Sequence, residues 1–394
     1  MVDFRKQKGL QPHHKRRVAI IVVSIVIVLL AAAGSIIAAQ YFFDPPKETL
    51  QNQPENTKPN APVKTALSCV MELPANTLFG QKLMAAGYSG QLTSLQSDFW
   101  QSGVGGMIIM NEIPAETLAA FSKGFAIAPI IAVDQEGGTV QRYKSQGIVP
   151  GAAEMAADYT AAQAYSEYLK DAQFLKSLGI TTNFAPVLGV ISAPVNPLPD
   201  RMYSSNPDTV VTYATQFITA SQKTGVTPVV KHFPGLGSAT GNTDLVSAKT
   251  DPLSVLKTRD VLPYQKLAQY KTDAMVANVI VPELTNGQPA VWSPEAVALL
   301  RSYGYENAVV YSDSLTAEAI PGALDDAAIK AWQADIDVAL IVQEREDSAT
   351  LAALFASIMT KGNAALENGS LDKTKLAESV LRILQRKGVD ACII

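Results

Sequence analysis

The stretch TPVVKHF, residues 227–233, is a short run of β-branched and apolar residues that carries Lys231 and His232 near its end. Similar runs recur along the chain, and amphipathic stretches of helical length lie between them. Such alternation predicts strands that pair in parallel, each followed by a helix. The other runs are KLMAAGY (82–88), GGMIIM (105–110), APIIAVD (128–134), TTNFAPV (181–187), DAMVANVIV (273–281), NAVVYSD (307–313) and DVALIV (337–342).

The number of strand–helix units predicts an α/β fold of the (β/α)8 TIM-barrel class. Eight units follow one another from about residue 67 to the chain end, and the clearest helices are predicted at 161–178, 207–224 and 294–303. A doubly wound open sheet is the alternative on periodicity alone. The first predicted strand is not followed by Gly-x-Gly-x-x-Gly, which argues against a dinucleotide-binding fold.

The N-terminal segment predicts a membrane anchor. Residues 18–43 contain no charged side chain, and a span of about 20 apolar residues crosses a bilayer as a helix. Just before this run lie five basic side chains, with His13 and His14 among them; the five are Lys6, Lys8, Lys15, Arg16 and Arg17. The positive-inside rule then makes 1–17 a cytoplasmic tail and places the rest outside the cell. A cleaved signal peptide is the alternative, although its apolar region is usually about 7–15 residues long.

The remaining chain is predicted to be a spacer and one domain. Residues 44–65 are rich in Pro, Asn, Gln and Lys, which is typical of a flexible linker, and the barrel domain is expected over 66–394. The formal net charge of -4 gives no indication of a nucleic-acid partner.

The two cysteines, Cys69 and Cys392, lie near the two ends of the predicted domain. The first and last elements of a closed barrel are neighbours, and an oxidising compartment outside the cell would favour a disulfide between them. In the chain-entropy model such a bridge stabilises the fold by roughly 5 kcal/mol. Two unrelated free thiols are the alternative.

Polar residues follow many of the apolar runs, where a barrel places its active site. Carboxylates and a Lys–His pair on one face suit a sugar site. No Cys/His cluster has the spacing of metal ligands, so neither a metal nor an organic cofactor is expected. The residues are Asn111, Asp134, Gln135, Glu136, Lys231, His232, Asn278 and Asp313.

Motifs spread from residue 69 to about residue 388 resemble those of glycoside hydrolase family 3, specifically its single-domain bacterial β-N-acetylhexosaminidases. The resemblance implies an exo-β-glycosidase that releases terminal β-linked N-acetylglucosamine, or a related sugar such as glucose, from cell-wall or other surface glycans. The motifs are IAVDQEGGTVQR (131–142), NFAPV (183–187), DRMYSSNP (200–207), KHFPGLG (231–237), AMVAN (274–278), YSDSL (311–315) and SVLRILQRKG (379–388).

The resemblance also implies roles for individual residues. Asp313 of YSDSL falls at the position of the family's catalytic nucleophile, which forms a covalent glycosyl-enzyme in a retaining mechanism. Asp134, Arg201, Lys231 and His232 fall at positions that bind hydroxyls of the terminal sugar, through charge-assisted hydrogen bonds.

The residues taken by themselves leave other interpretations open. Asp313 could be a helix N-cap, Lys231 a member of an ordinary buried ion pair, and His232 a core histidine with satisfied hydrogen bonds. Glu136 is interpreted as structural because the two glycines after it mark a tight turn.

The chain departs from the family at the acid/base catalyst. Relatives use a His in the loop after the fifth strand, paired with an Asp two residues earlier, whereas the ungapped match here gives Asp244 and Asn242. Leu236 also stands where relatives have a His. Since His232 is the only histidine after residue 17, a His–Asp dyad cannot exist in the exported domain.

Three hypotheses follow from this departure. Asp244 acts as the acid/base, oriented by Asn242, because burial or the nearby Asp313 charge can raise the pKa of a carboxyl group toward working pH. Alternatively, the domain is an inactive relative that binds cell-wall glycans, which Gly189 and Asn278 favour because relatives often have Asp and His there. Phosphorolysis is the third hypothesis, and the negative charge of Asp244 argues against it.

Overall fold

Eight strands form the centre of the structure, a computed structural model that describes residues 64–90, 92, 103–343 and 348–394. All are parallel and almost entirely buried, in the order β7-β6-β5-β4-β3-β2-β1-β8. They are β1 (Leu83–Gly87), β2 (Gly106–Ile109), β3 (Ile130–Val133), β4 (Thr182–Asn183), β5 (Thr227–Phe233), β6 (Asp273–Val276), β7 (Val310–Ser312) and β8 (Ala339–Ile341).

The two ends of this strand order meet and close the barrel. The Ser312 backbone N–H donates to the Val338 carbonyl at 2.9 Å, and Tyr311 forms a parallel bridge with Val338. The prediction of a (β/α)8 barrel is therefore confirmed. The doubly wound alternative is wrong, because an open sheet would leave β7 and β8 as free edges.

Helices connect the strands, and local capping explains where several of them begin and end. In α5, Thr160 and Gln163 form a capping box, while α6 begins after Asn206 and ends at Gly225, whose φ is 78°. The helices are α1 (Ala66–Met71), α2 (Ala75–Gln81), α3 (Ala115–Ser122), α4 (Ala152–Asp158), α5 (Ala161–Ser177), α6 (Pro207–Thr224), α7 (Leu253–Leu256), α8 (Leu262–Leu267), α9 (Pro294–Leu300), α10 (Leu324–Gln333), α11 (Ser348–Glu367) and α12 (Lys373–Lys387).

Apolar side chains fill both faces of the strands. One set packs inside the barrel, where Phe184 and Tyr311 meet edge to face at 5.0 Å between ring centroids. A larger set packs between the strands and the surrounding helices. Each fully buried large side chain contributes about 1.5–3 kcal/mol. Because the interior is packed, ligands meet the barrel at its ends.

A lower ion cluster, defined as Lys82, Asp273, Arg301, Asp337, Arg382 and Arg386, occupies the end where the strands begin. Asp337 is fully buried and accepts from Arg382 Nη2 at 2.7 Å and Arg301 Nη2 at 3.2 Å. Burial tends to raise the pKa of Asp337, but Arg382, Arg301 and Lys82 outweigh it and hold that pKa below its usual value. Asp273 meets Arg386 Nη2 at 2.6 Å. These contacts tie α12 to β6 and β8.

A disulfide joins Cys69 in α1 to Cys392 after α12, with the two Cα atoms 5.1 Å apart. It links the first and last helices of the described unit, Lys64–Ile394. The predicted cytoplasmic tail, the membrane span at 18–43 and the spacer up to residue 63 lie outside the described residues. Within the part of the chain that is described, none of the helices has both the length and the apolar character needed to cross a bilayer.

Candidate active site

A cavity of about 680 Å³ opens at the end of the barrel where the strands finish. Asp134 follows β3, Asp313 follows β7, and Asp244 comes from the loop after β5. The cavity therefore brings together side chains that are far apart in sequence. All of the predicted sugar-binding and catalytic residues line it, namely Asp134, Arg201, Lys231, His232, Asp244 and Asp313.

An upper ion cluster, defined as Asp134, Glu136, Arg142, Arg201 and Lys231, forms one wall of the cavity and its support. Lys231 Nζ lies 2.7 Å from Asp134 Oδ1 and 2.6 Å from Glu136 Oε1. Arg201 donates to both Glu136 oxygens, at 2.8 and 2.9 Å. Arg142 Nη2 lies 3.3 Å from Asp134 Oδ2. Each carboxylate thus faces two cations.

These pairings keep the upper ion cluster charged. Burial tends to raise the pKa of Glu136, but Lys231 and Arg201 lower it to about 2. The pKa of Asp134 is also below its usual value, because Lys231 and Arg142 outweigh its burial. Conversely, the two carboxylates outweigh burial and raise the pKa of Lys231. At neutral pH the cluster holds three cations and two anions, a net charge of about +1.

Glu136 lies behind the cavity wall, and the turn after it needs its glycines. Gly137 and Gly138 have φ values of 95° and 58°. A Cβ on Gly138 would lie 2.7 Å from Asp200 Oδ2, the oxygen that accepts from the Thr139 backbone N–H. The turn folds the chain back on itself, so Arg142 returns to Asp134.

Arg142 is a cavity residue that the sequence reasoning missed. The sequence did contain a feature that could have identified it, because Arg142 is the last residue of the IAVDQEGGTVQR motif that also contains Asp134. Eight residues of separation hid the contact, which exists only because of the turn at Gly137 and Gly138.

His232 is buried at the cavity wall and is neutral. Burial, together with Lys231 and Arg201, lowers the pKa of its imidazole well below the usual value. Its Nδ1 has no hydrogen-bond partner among the described residues. The interpretation of His232 as a satisfied core histidine is therefore wrong.

Asp313 is buried and differs from the other carboxylates at this end of the barrel. Its Oδ1 accepts from the Ser314 backbone N–H at 2.8 Å, and no cation within the described residues lies within ion-pair distance of it. Burial, and then repulsion from Asp244, raise the pKa of Asp313 to about 7. The N-cap interpretation is wrong, because α10 begins only at Leu324.

The loop that carries Asp244 rests on the loop that follows Asp313. The Glu318 backbone N–H donates to the Asp244 carbonyl at 3.3 Å, and the Ala319 N–H donates to the Thr243 carbonyl at 3.2 Å. Asn242 Oδ1 accepts from the Asp244 backbone N–H at 3.0 Å, so it shapes the turn and does not bond the carboxylate. The Asp244 side chain is exposed, lines the cavity and makes no ion pair with any described residue.

The other departures from the family pattern have local explanations. A Cβ on Gly189 would lie 2.5 Å from Met202 Sδ, so the Met202 side chain occupies that space. Asn278 Nδ2 donates to the Ser314 carbonyl at 2.6 Å and thereby holds the residue next to Asp313. Leu236 is buried and contributes an apolar part of the cavity wall. Within the described ranges, no group of three or more His, Cys, Asp or Glu side chains is placed to hold a metal ion.

Comparison with known proteins agrees with this geometry. Residues 96–386 match the family model described as the glycosyl hydrolase family 3 N-terminal domain. The beta-hexosaminidase LpqI of Mycobacterium tuberculosis is 34% identical over 302 residues, which cover 72% of this chain and 76% of the relative.

Solved structures are similar over most of their lengths. The structure of M. tuberculosis LpqI has a TM-score of 0.75 and 30% identity, covering 83% of this chain and 97% of that chain. A family 3 glycosyl hydrolase from Mycobacterium smegmatis has a TM-score of 0.74 and 31% identity, covering 80% and 98%.

Proposed function

Because this chain belongs to glycosyl hydrolase family 3, we propose that it is an exo-acting, retaining β-N-acetylglucosaminidase. It is a glycosidase that hydrolyses O-glycosyl bonds, as are the relatives named beta-hexosaminidase. The single observation that carries the proposal is the position of Asp313. It is a buried carboxyl group with no paired cation among the described residues, and it shares a cavity with the upper ion cluster and Asp244.

The upper ion cluster supplies the sugar-binding groups. The side chains of Asp134 and Arg142 remain 17% and 26% exposed, so each has atoms available to a ligand. Asp134 accepts from sugar hydroxyls, while Arg142 and Arg201 donate to them. Glu136 holds Arg201 and Lys231 in place from behind, and this support reduces the entropy lost when the sugar binds.

The reaction proceeds in two steps. Asp313 attacks the anomeric carbon and forms a glycosyl ester, while the leaving oxygen takes the proton of Asp244. Asp244 then removes a proton from water, the water oxygen replaces the Asp313 ester oxygen, and the sugar leaves with its configuration retained. Asp244 must be protonated for the first step and Asp313 ionised. The repulsion between the two groups favours a state in which the pair holds one proton.

The N-terminal sequence supports a location outside the cytoplasm. Residues 18–43 would anchor the chain in the cell membrane, and the spacer would hold the barrel near surface glycans. The substrate would be a terminal β-linked N-acetylglucosamine of cell-wall or other surface glycan. The disulfide between Cys69 and Cys392 fits an oxidising compartment.

The test is hydrolysis of p-nitrophenyl β-N-acetylglucosaminide, the matching β-glucoside and chitobiose by the purified full chain. Asp313→Asn should reduce all turnover to background, because the amide cannot form the glycosyl ester. Asp244→Asn should reduce chitobiose turnover by about 10²–10⁴-fold, the usual contribution of a general acid. It should affect the p-nitrophenyl substrate less, since that leaving group needs little protonation.

The control is Asp158→Asn, which makes the same chemical change at the exposed last residue of α4. It should leave turnover unaltered. If the wild-type chain binds the sugars but does not turn them over, the barrel is a glycan-binding relative and the proposal is wrong.

A further inference from the structure

We infer that Glu318 selects the leaving group of the reaction and disfavours leaving groups that carry a negative charge. Glu318 is exposed and lines the cavity, five residues after Asp313. The inference rests on the proposed function, because it assigns a substrate class to the same cavity.

The backbone contacts place Glu318 on the leaving-group side. Whichever group Asp244 protonates must lie within hydrogen-bond reach of its carboxyl. The Glu318 N–H donates to the Asp244 carbonyl at 3.3 Å, so the two residues are direct neighbours across two loops. A leaving sugar beside Asp244 is therefore also beside Glu318.

The carboxylate of Glu318, on the leaving-group side of the cavity, forms no ion pair with any described residue. The described residues that line the cavity include three cations, Arg142, Arg201 and Lys231, and each is ion-paired with Asp134 or Glu136. Asp244 carries a proton when it acts as the acid, which leaves the Glu318 carboxylate as the charge that the leaving group meets.

This arrangement favours a leaving sugar without a negative charge. An uncharged or cationic sugar beside Asp244 meets no repulsion from Glu318, whereas a sugar that carries a free carboxylate does.

The experiment compares two disaccharides that differ only in charge. They are N-acetylglucosamine β-1,4-linked to N-acetylmuramic acid, and the same molecule with its lactyl carboxylate converted to the primary amide. For the full chain, kcat/KM should be about fivefold lower for the acid, the effect of one like charge about 4 Å away in water. Raising the ionic strength should narrow this ratio, because exposed charges are screened.

Glu318→Gln should bring the two kcat/KM values within about twofold of each other. The control is Glu306→Gln, which makes the same change at an exposed position before the start of β7, at the other end of the barrel. It should keep the wild-type ratio. Equal kcat/KM values for acid and amide in the wild-type chain, or an unaltered ratio in Glu318→Gln, would overturn the inference.

Binding to the Asp313→Asn variant separates this inference from the proposed function. Its Kd values for the two disaccharides, measured by calorimetry, should differ in the same direction, and adding Glu318→Gln should remove the difference. If the wild-type chain hydrolyses neither disaccharide but the binding difference is present, the proposed function fails and the charge selection stands. Equal Kd values would overturn the selection whatever the turnover.

Discussion

The two ends of this barrel each hold a buried ion cluster, and they differ in what is left unpaired. In the lower cluster, Asp337 faces two arginines, and its pKa lies below the usual value despite complete burial. The upper cluster is equally well paired, but beside it lies Asp313, with no cation in ion-pair distance among the described residues and with a pKa raised to about 7.

The difference indicates where chemistry takes place. A buried carboxylate that is matched by cations stays ionised and serves the structure. One that is buried next to another carboxylate titrates near neutral pH, which is the property that acid/base and nucleophilic catalysis need. Pairing, more than burial, therefore separates the supporting end from the reacting end.

The largest expected effect on stability comes from a substitution that breaks the ion pairs of the lower ion cluster. Asp337→Asn leaves Arg301 and Arg382 buried without a full counter-charge, so the free energy of unfolding should fall by about 3–5 kcal/mol. Asp335, whose side chain is 31% exposed, also contacts Arg301. Asp335→Asn is the control and should cost less than about 1 kcal/mol. Urea unfolding measures both, and equal losses would contradict the assignment of Asp337 as the centre of the cluster.

An effect of intermediate size is the loss of folding stability when the buried Asp313 ionises. Its folded-state pKa of about 7 lies above the usual value for an unfolded chain, so the native state binds this proton more tightly. The wild-type chain should therefore lose stability as pH rises from about 4 to about 7. Asp313→Asn removes this titration and should be more stable at pH 8, by up to about 4 kcal/mol for a shift of about three pKa units, with little gain at pH 4.

Thermal unfolding of wild type and Asp313→Asn at the two pH values measures this difference. Asp158→Asn, at an exposed site, should show no such pH-dependent gain. A gain of the same size at pH 4 and pH 8 would mean that ionisation of Asp313 is not its cause.

The smallest expected effect is a shift in the pH dependence of turnover, which tests the electrostatic repulsion between Asp313 and Asp244. With an activated aryl glycoside, whose leaving group does not need the Asp244 proton, kcat/KM depends on ionisation of the Asp313 nucleophile and should rise with pH with a midpoint near pH 7. Asp244→Asn removes the repelling charge, so the pKa of Asp313 falls and the midpoint should move to lower pH. An activated aryl glycoside keeps the variant's rate measurable. An unmoved midpoint would show that the two groups do not interact.

The sequence predicted the architecture well because strand and helix periodicity is a local property. All of the predicted strands are present, and α6 has the predicted bounds of 207–224. The family resemblance is confirmed by the family match. The helix predicted at 294–303 ends at Leu300 and continues as a wider turn with Gly304 at a φ of 103°. The strand predicted at 181–187 is shorter in the structure, where it comprises only Thr182–Asn183.

The site was predicted less completely. The motifs placed Asp134, Lys231 and Asp313 at strand ends, and the structure brings them to one cavity. Arg142 was missed because a turn between it and Asp134 creates their contact. Glu318 was missed because it lies in a loop without periodicity and faces Asp244 only through a contact between two loops.

The sequence alone determined the barrel, the family and the absence of a His–Asp dyad, since each depends on the order and type of residues along the chain. Only the tertiary structure decided which charges meet. Lys231 lies 95 residues after Glu136 in the sequence but 2.6 Å from it in space. Asp313, by contrast, is repelled by Asp244 and forms no ion pair with any described residue. Ion pairing depends on distance and burial, and folding sets both after the sequence has set only the charges.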